Sequence, residues 1–135
     1  MSTNPYQSPL SSDGSATGSR TPYILAGVGA LMASLYWGGL TLLIAIGVSG
    51  GSVSGFQMLL PILLIGFSAV RAFQLFQGQK SAAKSVLWLH GVGGAFAILQ
   101  IVSGNPIAMV LQVIKLVIHV FGAITAYLAY RSTPG

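Results

Sequence analysis

Two ionisable side chains stand one helical turn apart in MVLQVIKLVIHVFG (109–122), a run otherwise built almost wholly from Val, Leu, Ile, Met and Phe. Lys115 and His119 are four residues apart, so on a helix they share a face, and Gln112 joins them one turn earlier. Arg71, His90 and Gln100 sit inside other apolar runs of the chain. The chemistry open to this set is narrow. A pair of imidazoles, His90 and His119, is what b-type haem iron needs for bis-histidine ligation. Zinc wants three or four ligands, and the apolar runs offer two histidines with no cysteine or carboxylate. Acid–base or nucleophilic catalysis usually combines a base, its orienting group and a nucleophile, and no carboxylate stands in these runs to orient either histidine. The glycines of GVGG (91–94) lie within an apolar run rather than in a strand-to-helix turn, which removes phosphate-loop chemistry. The set reads as non-enzymatic, with no metal and no cofactor beyond the haem option.

Lys115 is the sharper puzzle. An intramembrane ammonium needs a partner, and the one acidic residue, Asp13, lies in the N-terminal tail. Lys115 must therefore lose its charge with its amine bonded to Gln112, snorkel to water or headgroups, or meet an anion from outside its own chain. That anion would be a carboxylate of a partner subunit, an anionic ligand or a lipid phosphate.

Four apolar segments must position these groups. The chain has 135 residues, 53% hydrophobic and 5% charged. A soluble domain carries about 25% charged residues, so most of this surface must face lipid. The segments run over about 23–48, 56–77, 82–102 and 106–130. Each reaches the roughly 20 residues that cross a hydrocarbon core as a helix. SGGSVSG (49–55), GQKS (78–81) and SGNP (103–106) read as turns between them. The expectation is an all-α, integral membrane, four-helix antiparallel bundle over 23–131, with a disordered N-terminal tail (1–22) and a short C-terminal tail (132–135). The tail assignment follows from its Ser, Thr, Gly and Pro content. The first segment is too long for the apolar core of a signal peptide.

Helical phase places Ala108, Gln112, Lys115, His119, Gly122 and Ala126 on one stripe of the last segment. The first segment carries a matching stripe of Gly27, Ala30, Ser34, Gly38, Thr41 and Ala45, and the third offers His90, Gly93, Gly94 and Ala97 with Gln100 alongside. Small residues let helices approach closely in lipid, so these faces predict a tight bundle. Pro61 is expected to kink the second segment modestly. Counting about 1.5 Å per residue puts His90 and His119 roughly 12 and 16 Å from the same side, so the two can meet. Arg71, roughly 9 Å deep, can snorkel.

The formal charge of +5 would suggest nucleic acid in a soluble protein, but here the cations mark segment ends. Arg20 precedes the first segment, Lys80 and Lys84 flank the second turn, and Arg131 closes the last segment. The first and third turns carry no charge. The positive-inside rule then makes both termini cytoplasmic.

NPYQSP (4–9) resembles the N-P-Y-x-S-P leader found ahead of the first helix in many small membrane proteins of planctomycete bacteria. The likeness covers six residues. It implies a bacterial cytoplasmic-membrane protein and carries no activity with it. The function expected is that of a structural, accessory or interaction subunit, working with a membrane-protein partner or as a homo-oligomer within the lipid bilayer. The alternatives are a small oligomeric channel or carrier for an anionic or neutral solute, and a haem-binding subunit. Nucleic acid is not an expected partner.

Overall fold

The computed structural model describes residues 19–49, 51, 55–104 and 106–132; the NPYQSP leader, Asp13 and the last three residues lie outside them. Four helices follow one another: α1 (Thr21–Ser49), α2 (Leu59–Phe76), α3 (Lys80–Val102) and α4 (Pro106–Arg131). All are long and apolar enough to cross a membrane, and the chain is a multi-pass membrane protein of the all-α, four-helix bundle class.

Local chemistry explains where the helices begin and stop. The Thr21 amide donates to Ser19 Oγ at 3.3 Å, so helix begins at Thr21, two residues inside the stretch read as tail. Pro22 sits in that first turn, where a missing N–H costs nothing. The second segment opens as a 3₁₀ turn (Gly55–Met58), and α2 proper starts only at Leu59. Pro61 thus falls in the first turn of α2 rather than in mid-helix, where the expected kink would have formed. At the other end of α2, Gly78 adopts φ +77°; its amide donates to the Leu75 carbonyl and that of Gln79 to the Gln74 carbonyl. This left-handed cap is what lets α3 return after three residues. Gly104 ends α3 in the same way, at φ +85°.

The helices run antiparallel, with α1 packed on α2 and α4, α3 on α4, and only a thin contact between α2 and α3. Both described chain ends and the α2–α3 turn share one end of the bundle, here the terminal end. There the packing is close. Tyr23, Ala26 and Ala30 of α1 are buried with Ala72 and Leu75 of α2, Ala82, Ala83 and Val86 of α3, and Ala126 and Ala129 of α4. Alanine dominates because lipid supplies no hydrophobic drive between helices, so stability comes from backbones near enough for dispersion contacts. The Tyr23 hydroxyl donates to the Ser132 carbonyl at 3.3 Å and ties α1 to α4.

The opposite, distal end is different, and there the small-residue stripe of α1 is no longer fully seated. Ser34 is still seated, donating to the Ile65 carbonyl at 3.3 Å. One turn on, a Cβ at Gly38 would meet nothing within 4 Å. Thr41 turns back to its own helix, donating to the Trp37 carbonyl. The cause is side-chain size. At this level the half-buried Tyr36, Trp37 and Leu64 take the place of the alanines and hold the helices apart. Large apolar side chains also cover the outside, as with Leu35 at 76% and Val102 at 79% exposure. Their solvent is lipid.

Candidate functional site: a distal cavity and a histidine pair

Splaying at the distal end leaves a cavity of about 850 Å³ with walls from all four helices. Its exposed lining residues Leu60, Trp88 and Phe96 place the mouth on the α2–α3 side. Most of the wall is apolar. The polar exceptions include Gln100 of α3 and Gln112, Lys115 and His119 of α4. Lys115 is only 6% exposed. Its Nζ lies 5.3 Å from the centre of the Trp37 ring, a cation–π distance, and donates to Gln100 Oε1 at 3.4 Å.

The bond from Lys115 to Gln112, one of the options for this side chain, is not made. Gln112 Oε1 is buried and has no hydrogen-bond partner among the described residues, and the same is true of Trp37 Nε1. The reason lies in side-chain reach: the lysine extends across the α3–α4 interface to Gln100, close to the distal end of α3. It therefore reaches toward the distal end while staying enclosed. No acidic side chain occurs among the described residues.

His90 and His119 do meet, at the floor of this region. They are 1% and 2% exposed, and their Nδ1 atoms are 3.0 Å apart in a hydrogen bond. Each ring occupies a socket made by a glycine of the other helix. A Cβ at Gly93 of α3 would run into the His119 ring, and one at Gly122 of α4 into the His90 ring. Gly122 also touches α1, since a Cβ at Gly29 would stand 2.9 Å from its Cα. His90 Nε2 is buried without a partner. A bare ring nitrogen is cheaper to bury than an orphaned N–H, which favours His90 as the Nδ1–H donor and His119 as the acceptor. Ligation of one haem by both rings would require them to separate, because they are in contact where a porphyrin would pass between them. Among the described residues no three metal-ligating side chains cluster.

The remaining polar groups stand apart from this site. Arg71, half-buried, donates to Gln74 Oε1 at 2.8 Å and lies 5.2 Å from the Phe67 ring centre, all within α2. Arg20, Lys80, Lys84 and Arg131 are exposed at the terminal end. Lys80 lies over the Tyr130 ring and Arg131 over that of Tyr127. Sequence reasoning missed Trp37 and the cavity. The available signal was a Tyr-Trp pair well inside the first segment, away from the interfacial belts where such residues usually sit. No family model, curated protein or solved structure matches the chain, so the role of this site follows from its own geometry.

Proposed function

We propose that this protein is a non-enzymatic accessory subunit of a bacterial cytoplasmic membrane, with both termini inside, whose distal cavity accepts an anionic group supplied by another molecule. One observation carries the reading: Lys115 is enclosed in an apolar wall without a carboxylate, beside two orphaned polar atoms, Trp37 Nε1 and Gln112 Oε1. A cation costs about 2.5–3.5 kcal/mol at the centre of a membrane helix on insertion scales. Buried polar groups without partners cost about 1–3 kcal/mol each. A fold that bears these costs in one place is arranged for something that offsets them.

Extraction into native nanodiscs followed by intact-complex mass spectrometry tests this. The expected result is a particle with an additional bound mass, polypeptide or small molecule, that disappears in Lys115→Leu. A particle holding this chain and bulk lipid alone, unchanged by the substitution, refutes it.

A carrier for an anionic solute is the second reading. It draws on His119, which lines both the distal cavity and a shallower hollow of about 310 Å³ on the α3–α4 outer face. Flux in proteoliposomes that is lost in Lys115→Leu would favour it.

A further inference from the structure

We infer that the distal cavity binds a single-chain anionic amphiphile, with a carboxylate or phosphate monoester head beside Lys115 and its hydrocarbon chain along the wall below. The inference rests on the proposed function and specifies its ligand. Four polar groups, Lys115 Nζ, Gln100, Gln112 Oε1 and Trp37 Nε1, lie toward the distal part of the cavity, while the deeper wall is mostly apolar, with Phe67, Trp88, Leu89 and Val92 beside His119 and Ser85. Gln100 is two residues from the end of α3, so the ammonium is carried toward the distal end of the bundle. From there the α3 wall descends to Ser85, about 22 Å of helix rise. One leaflet of hydrocarbon is about 15 Å deep. An amphiphile would enter in the orientation it already has in the membrane, through the gap between α2 and α3.

Backbone chemistry separates this ligand from a partner's extended segment. An extended peptide would bring backbone N–H and C=O groups against an apolar wall that offers them nothing. A single acyl or prenyl chain has no such groups, and about 850 Å³ lies within the range of pockets for one small ligand. The head also has its donors in place. Lys115 and the Trp37 indole N–H both donate, and the Gln112 amide presents its NH₂ when turned over.

Both tryptophans of the chain line this cavity, so intrinsic fluorescence reports on it directly. The full chain in phosphatidylcholine nanodiscs is titrated with dibromostearic acid and, separately, with its methyl ester. The ester has the same brominated chain and partitions into the bilayer, but has no charge. Saturable quenching by the acid is expected, with half-saturation about tenfold or more lower than for the ester, because only the acid forms charge-assisted hydrogen bonds. Lys115→Gln should bring the acid to the level of the ester. Equal quenching by acid and ester overturns the inference on the unaltered protein, whether or not the variant folds. Reversal of quenching by inorganic phosphate would also overturn it, making this a small-anion site. If acid and ester are equal while a Lys115-dependent polypeptide is seen by mass spectrometry, the amphiphile falls and the proposed function stands. If neither assay finds an associate, both fall.

Discussion

Gly122→Ala adds one methyl group at the place where α4 meets both the His90 ring and α1. In an exposed helix this change is favourable by about 0.8–1.0 kcal/mol, because glycine is the poorer helix former. Here the added carbon falls inside the van der Waals envelope of the His90 imidazole. The ring is rigid and held by its bond to His119 Nδ1 at 3.0 Å, so it cannot give way without breaking that bond. Overpacking costs about 1–3 kcal/mol. An interhelical hydrogen bond in a membrane adds about 0.6–2 kcal/mol when lost. The clash outweighs the propensity gain, and the net expectation is destabilisation of about 1–3 kcal/mol. Reversible unfolding in mixed micelles, titrated with dodecyl sulfate, reads this directly. Gly38→Ala is the matched control, since its new Cβ meets nothing within 4 Å, and it should be neutral or slightly stabilising. The mechanism is isolated by repeating Gly122→Ala in a His90→Ala background. With the ring gone, the cost of the methyl group should fall by at least about 1 kcal/mol, the size expected for residues in contact. Equal costs in the two backgrounds would refute the socket reading, and so would a Gly122→Ala protein as stable as the Gly38→Ala control.

Further outcomes follow from other parts of the bundle. Lys115→Leu should raise the unfolding free energy by about 1–2 kcal/mol, because removal of a buried cation exceeds the loss of one cation–π contact; a decrease in the same micelle titration would contradict this. Tyr23→Phe removes the hydroxyl that reaches the Ser132 carbonyl and should cost about 0.5–1 kcal/mol in that assay, with no change in amphiphile binding; a larger loss would mean that the ring packing had moved. A periplasm-dependent phosphatase fused after Gly135 should be inactive, and a fluorescent protein at the same place bright; the reverse pattern would overturn the proposed orientation.

Much of the fold was legible because lipid restricts the options. Long apolar runs admit only helices, and left-handed glycines at 78 and 104 end two of them where turn dipeptides suggested. The His90–His119 meeting was legible from depth alone, since antiparallel helices put residues at equal rise opposite each other. What could not be read was which of two similar amides Lys115 would choose. Gln112 on its own helix and Gln100 across the interface both lie within reach of a four-carbon stem, and only the α3–α4 separation decides between them. The cavity was hidden for a related reason. A stripe of small residues predicts contact, yet Gly38 continues the stripe of Ala30 while the large side chains around it, on other faces and on α2, set the spacing. Helical phase describes one helix at a time, whereas this cavity is a property of four.

The reciprocal seating of each imidazole on the other helix's glycine has a mechanical consequence. Sliding α3 along α4 by one turn, about 5.4 Å, would drive both rings out of their sockets and onto residues that carry side chains. This pair therefore behaves as a stator. Any widening of the bundle must come from the α1–α2 side, where the thin α2–α3 contact offers little resistance. The Gly29–Gly122 approach, placed between the alanine-packed end and the splayed end, is the natural fulcrum for that movement.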